Sequence, residues 1–532
     1  MPAGNFVCAA LPSVHTQMIN TIKELKETGG EDLVHKFLSE ESLDSFFKEN
    51  VNKFLTSIGI ILPRLPNQAT GHGKSQFSTE VAKIRKNGPR ITKNNIEKYS
   101  EILKKFNNTP FLKNCELIID SAGFQIQQFY LDNTEIPTYI DLFHDEFMAN
   151  RDNEFDWAFT LDIAPGGSHC PFDTFEEMEQ LCRHSYSKAS ALPEDIRNKM
   201  LYIHHFRTIK IHKIYKKLLD DYGQNFTNFS TGGLVSFGRS GSPPFIMYAI
   251  PLIEVLNHVL DRGLTSFRFH VLGGSEWKEI LGHKFFERHI KEEFGIDVQI
   301  TYDSTTLFKT LCLGRYTFRP DETTKTIKKL SLREADLHQF DDALQDCDNY
   351  KELFYDLVNE SVRAHGMAGL EYGIDEIYVT GNKQTSKYSK LEREFAGFGS
   401  NREGYDGRIT RLAYSYGMLQ ILRLFKVVEN WCEDYVDELY PQFIDGLNNK
   451  DTQSKLNHRI EEIMILLNGG NSISKNINLK AVTIGNTLEL ISEFKRDRAK
   501  GLAKCDHLVN AYMMKDECHD LRPKSHKVNM FI

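Results

Sequence analysis

Leu201-Tyr-Ile-His-His205 is a short apolar run that stops on two histidines. Arg207-Thr-Ile-Lys-Ile-His-Lys-Ile-Tyr-Lys-Lys-Leu-Leu-Asp-Asp-Tyr222 follows it, with apolar residues every three or four positions. Phe226-Thr-Asn-Phe-Ser230 is then another short run, closed by Thr231-Gly-Gly-Leu234. Runs of this length with β-branched and aromatic residues read as strands, and the intervening 3.6-residue period reads as a helix. The unit is strand, helix, strand, and such a crossover makes the two strands parallel.

The same rhythm extends in both directions. Further short runs are Leu117-Ile-Ile119, Trp157-Ala-Phe-Thr-Leu161, Phe267 to Leu272 and Val298 to Tyr302. Amphipathic stretches lie between them at Phe172–Ala191, Pro251–Gly263 and Trp277–Gly295. Six strand units are visible, and a strand near Gly59–Leu62 and one just past Asp303 would complete eight. The expected fold is α/β, a TIM-type (β/α)8 barrel followed by a mainly helical C-terminal region. Upstream, the apolar spacing from about residue 30 to 56 is helical, and prolines and glycines between Pro63 and Gly73 form a linker. After residue 330 long helix-periodic segments replace the alternation, interrupted by a Gly- and charge-rich stretch that includes Gly397 to Gly404. The expected divisions are a helical segment over 1–56, the barrel over 57–330 and the helical region over 331–532, the last a candidate nucleic-acid-binding part.

Composition narrows the function classes. A net charge of −8 excludes a globally basic nucleic-acid binder, so any such contact comes from local clusters. The clusters are Lys83–Lys93, Arg207–Lys217, Lys325–Lys329 and Lys495–Lys504, each most simply a solvated helix face. Arg207 and Lys210 directly follow a strand end, where phosphate contact is plausible, and Arg402 and Arg408 flank the glycine-rich stretch. Nine cysteines with no CxxC pair read as reduced thiols, and the N-terminus lacks the basic start and apolar core of a signal peptide, so a cytoplasmic location without membrane association is expected.

Reactive groups of such barrels sit at the C-terminal ends of the strands. In order these carry Asp120-Ser-Ala-Gly-Phe-Gln125, Asp162, His204-His205, Ser230-Thr-Gly-Gly-Leu234, Leu272-Gly-Gly274 and Tyr302-Asp-Ser-Thr305. A lone aspartate there is more often a helix cap or turn former, and a lone Gly-Gly a tight turn. Three aspartates and two Gly-Gly pairs at successive strand ends are harder to dismiss together.

Those segments resemble the tRNA-guanine transglycosylase superfamily over about residues 115–320. Ile119-Asp-Ser-Ala-Gly-Phe-Gln125 is similar to its DSGGFQ motif, with an alanine at the third position. Phe155 to Pro165 resembles the strand ending in a base-reading aspartate, Ser230 to Leu234 the IGGL segment, and His270 to Gly274 the LMGVG segment. Tyr302-Asp303-Ser304 is similar to the position of the nucleophile. The resemblance implies that Asp303 attacks a nucleoside C1′ and holds the sugar as an ester, with Asp120 as general acid–base. It implies that Asp162 accepts from a purine N1–H and 2-amino group, and that Ser121, Phe124, Gly232, Gly233, Leu234 and Leu272 surround the base. His204 aligns where the family usually has a glutamine.

The CxCxxC…H zinc segment of the tRNA-modifying members is absent after Asp303. Cys505, His507, Cys518 and His519 are four ligands in number but match no standard spacing, so no cofactor and no metal is expected. This departure, Ala122 and the unfamiliar C-terminal region look more like the DNA-guanine transglycosylases of phages and bacterial modification clusters. The expected activity is exchange of guanine in DNA for a 7-deazaguanine such as 7-cyano-7-deazaguanine. Exchange on tRNA is the alternative; a two-carboxylate glycoside hydrolase and a non-enzymatic binding barrel are the more distant ones.

Overall fold

The computed structural model describes residues 5–9, 51–63, 82–84, 86–108, 115–127, 131–164, 172, 174–206, 208–233, 245–273, 277–303, 316–331, 407–446, 449–467 and 475–512. Eight strands close into a barrel in chain order: β1 (Phe6–Ala9), β2 (Lys53–Ser57), β3 (Glu116–Asp120), β4 (Trp157–Phe159), β5 (Met200–His205), β6 (Asn228–Gly232), β7 (Ser266–Val271) and β8 (Asp297–Asp303). Pairing from β2 to β8 is parallel throughout. Helices α1 (Lys93–Asn107), α2 (Gly123–Gln127), α3 (Ile136–Asp141, continued as a π-helix to Met148), α4 (Phe175–Ala191), α5 (Glu194–Asn198), α6 (Ile209–Tyr222), α7 (Phe245–Asp261) and α8 (Trp277–Phe294) fall between the strands. Thr174 and Thr208 cap α4 and α6 by accepting from the backbone N–H groups of Glu177 and Ile211.

All six strands read from the sequence form. The two completing strands do not lie where expected. Ile58–Ile61 is a 3-10 turn, and the strand beyond Asp303 belongs to a separate antiparallel pair, β9 (Tyr316–Asp321) with β10 (Thr326–Ser331). β1 and β2 close the barrel instead, so it begins at Phe6 and not at residue 57. β2 was hidden because Lys53-Phe-Leu-Thr-Ser57 opens with a lysine and continues a helix-like spacing, yet Lys53 is fully buried.

Side chains alternate along each strand, and their contacts set which face is which. Inside the barrel, Phe159 and His270 meet edge-on at 5.0 Å, and His270 Nδ1 lies 2.9 Å from Thr301 Oγ1. One layer below, Arg268 stacks at 4.0 Å on Trp157 and sits 2.9 Å from Glu116 Oε2. One layer above, the same alternation turns Asp120, His205, Leu272 and Asp303 to the inner face of their strands.

Contacts divide the chain into two compact units. One holds Lys53–Gly274, Phe285–Tyr302 and Thr483–Ile532. In it the end of α11 (Lys475–Arg496) and α12 (Arg498–Tyr512) pack on barrel helices. Phe494 meets Phe294 at 6.1 Å, His289 Nε2 lies 2.9 Å from the Leu488 carbonyl, and Arg498 donates to the Asn257 carbonyl at 2.7 Å. The other holds Met1–Asn52, Ser275–Lys284 and Asp303–Val482. There α9 (Gly407–Gly446) packs against α10 (Lys450–Leu467), β9 and β1. Phe6 stacks on Phe425 at 3.7 Å, and Glu429 accepts from the Asn5 and Phe6 N–H groups. The last helices, from Thr483 on, group with the barrel strands, because the end of α11 and α12 pack on α7 and α8. Among the described residues no helix is long and apolar enough to cross a membrane.

Candidate active site

The turn after β3 is built by its own sequence. Asp120 Oδ1 accepts from the Ala122 N–H at 3.3 Å, and the buried Ser121 hydroxyl donates to the Thr160 carbonyl at 3.1 Å. The Tyr139 hydroxyl donates to the Ser121 carbonyl at 2.8 Å, which fixes the turn from α3. Ala122 has φ +70°, a left-handed backbone that an L-residue adopts at a cost. A glycine at this position would relieve it. Gly123 is required for a different reason: a Cβ there would overlap Asp162 Oδ1. Gln125 of the same motif lies against Gly59, where a Cβ would strike its carboxamide.

Asp162 follows β4 and is 8 % exposed. Burial pushes its carboxyl up to about 7, and the neighbouring charge of Asp120 adds to the rise. The His205 Nε2 lies 3.8 Å from Asp162 Oδ2. His205 is also wrapped by the glycine pair: a Cβ on Gly233 would fall 2.6 Å from His205 Cε1, and Gly233 has φ +85°. A Cβ on Gly232 would fall 3.3 Å from both His205 Cδ2 and Leu272 Cδ1. The Gly-Gly pair therefore leaves room for one imidazole and one leucine beside the carboxylates.

The structure brings together Asp120, Ser121, Asp162, Gly232, Gly233 and Leu272 at the strand ends. Asp303 is the last residue of β8. The structure does not bring His204 into this group. His204 points out of the barrel to Glu254 on α7, at 2.8 Å, and its neighbour His205 takes the inward position. The reason is the two-residue period of β5: Tyr202 and His204 face the helices, Ile203 and His205 the interior. Every residue of β5 is buried, so the sequence pattern alone does not show which of the two histidines turns inward.

Lys210 is exposed on α6, its Nζ held 4.1 Å over the Phe175 ring. Leu234, Arg207 and Arg402, and the side chains of Phe124 and Arg408, lie outside the described residues, as do Cys518 and His519. Cys505 is buried and His507 exposed on α12, two positions apart on one helix, so they do not face a common point. Of the basic runs, Lys495–Lys504 is largely neutralised within its own unit: Lys495 pairs with Glu293, Arg498 with Asp261, and Lys500 and Lys504 with Glu493.

No family model, no curated protein and no solved structure matches this chain.

Proposed function

We propose that this barrel is a guanine transglycosylase that exchanges guanine in DNA for a 7-deazaguanine. The observation that carries the reading is Asp162 at the strand ends, raised by its burial and further by the neighbouring Asp120, and packed against a glycine that leaves no room for a side chain. Asp303 ends β8 on the inner face of its strand, the position a nucleophile needs in a barrel of this type.

In the proposed reaction an Asp303 carboxylate oxygen attacks C1′ of the target deoxyguanosine. The C1′–N9 bond breaks and an aspartyl ester forms, while Asp120 delivers a proton to the departing guanine. Asp120 then removes the N9 proton from the incoming deazaguanine, whose nitrogen displaces Asp303 and restores the original configuration. Asp162 in its ionised form accepts from the purine N1–H and 2-amino group. His205 stands beside it as a donor for the purine carbonyl, taking the base-reading place that the sequence assigned to His204. Duplex DNA would have to surrender the guanine from its stack.

DNA is favoured over tRNA because the sequence after Asp303 lacks the Cys-rich segment of the tRNA-modifying enzymes. The test is release of labelled guanine from duplex DNA and from unmodified tRNA, side by side at matched ionic strength, with unlabelled deazaguanine supplied. Release from tRNA alone would overturn the choice of polymer. Release from neither would overturn the activity.

A further inference from the structure

Outside the barrel, three buried side chains from β5, α6 and α7 converge on one point. His204 lies at the end of β5, His212 on the first turns of α6, and Glu254 on α7; they are 0 %, 1 % and 3 % exposed. His204 Nε2 stands 2.8 Å from Glu254 Oε2, and His212 Nε2 stands 3.0 Å from both Glu254 oxygens. One nitrogen or oxygen from each residue lies within 4.8 Å of the others.

We propose that His204, His212 and Glu254 form a binding site for a divalent transition-metal ion, zinc by the chemistry of its ligands. Two imidazole nitrogens and one carboxylate oxygen are a borderline donor set that suits zinc and excludes magnesium and calcium, which take oxygen ligands. Zinc bonds of about 2.0–2.1 Å in a tetrahedron place ligand atoms roughly 3.3 Å apart. The observed 2.8 and 3.0 Å need to open by only a few tenths of an ångström. The three ligands ride on a strand and its two following helices, so their positions are set by the same packing that builds the βα units.

The competing account is a hydrogen-bonded triad, with both Nε2 atoms protonated and donating to Glu254. Two facts favour the cation. A carboxylate so deeply buried requires a positive partner. Here that partner is Lys216, whose Nζ is 3.4 Å from Glu254 Oε1 but 2.5 Å from Asp506 Oδ1, with the side chain 27 % exposed. The ammonium is thus already shared with a surface acid and can withdraw to it, leaving the fourth position of the tetrahedron to a water. Second, His204 and His212 both direct Nε2 at the same carboxylate, so two imidazoles already present a ligating nitrogen to one buried point.

The experiment uses the full-length protein, stripped with a chelator and titrated with zinc by calorimetry and with cobalt(II) by visible absorption. The wild type should take one zinc and give the intense absorption of four-coordinate cobalt. His212→Gln, checked for folding by circular dichroism, should weaken zinc by about a hundredfold or more. Lys216→Met keeps all three ligands and removes the rival cation, and should tighten zinc by roughly tenfold. This variant carries the test if His212→Gln fails to fold. A wild type that takes up no zinc overturns the site in favour of the triad. Zinc affinity unchanged in both variants overturns it too, because the metal would then sit elsewhere.

Discussion

At Ala122 the backbone is left-handed and the side chain is fully buried, so the residue stores strain beside two carboxyl groups. Ala122→Gly should relieve it and raise the melting temperature, offset in part by the unfolded chain's greater freedom, for a net of up to about 1 kcal/mol. A lower melting temperature would show that the φ angle carries no strain. Gly123→Ala acts in the opposite sense. Its methyl group would displace Asp162, so guanine exchange should fall by about a hundredfold while the barrel still unfolds cooperatively. Asp162 itself predicts a pH dependence. Its carboxyl titrates near 7 in the fold, against about 3.9 when unfolded. Its contribution to stability is therefore fully present below pH about 4 and lost as pH rises through about 7. Asp162→Asn should gain on the wild type in melting temperature across that window, and a constant difference would refute the raised value. Exchange should run the other way, rising from pH about 6 to 8 as the acceptor carboxylate forms. Asp303→Asn should abolish the proposed exchange and any covalent aspartyl–DNA ester trapped with the wild type, because an amide cannot form the ester. Residual turnover in that variant would remove Asp303 as nucleophile.

At the scale of elements, β1 draws hydrogen bonds from a helix side chain. It is four residues long, and Glu429 of α9 supplies acceptors for the Asn5 and Phe6 N–H groups at 2.9 and 2.8 Å. Glu429→Ala leaves those two buried donors unsatisfied and should destabilise the protein by about 2 kcal/mol or more. Hydrogen exchange should rise first at Phe6–Ala9; uniform loss of protection would mean that Glu429 acts elsewhere. The six inner strands were legible because each is a short run of apolar, β-branched and aromatic residues, continuous or alternating, set between helix-periodic stretches. β1 and β2 were not. Phe-Val-Cys-Ala is too short to show a period, and buried Lys53 breaks the apolar pattern of β2. A lysine in a strand is read as solvent-facing, and only pairing with Glu116 in register shows that it is enclosed.

For the whole molecule, the C-terminal helices are part of the barrel's stability. Arg498 bridges to Asn257 and Asp261, and Phe494 covers Phe294. Truncation after residue 474 should therefore abolish cooperative unfolding of the barrel, read by circular dichroism, and a truncated chain melting within about 2 °C of the full one would contradict that packing. Four cations of the Lys495–Lys504 run are engaged in ion pairs with Glu293, Asp261 and Glu493. With a net charge of −8, the proposed binding to DNA would rest on local cation clusters and should weaken steeply with salt.

The alternation of strand and helix could be read before any folding, and with it the parallel barrel and the ends on which Asp120, Asp162 and Asp303 stand. These follow from local periodicity, which a linear chain displays as it is written. Three things needed the folded chain: which histidine faces inward in the closed sheet, why Gly123 must lack a side chain, and that His204, His212 and Glu254 meet outside the barrel. Each depends on residues tens of positions apart approaching within a few ångströms. Only the closed sheet and the helices packed on it bring about such approaches.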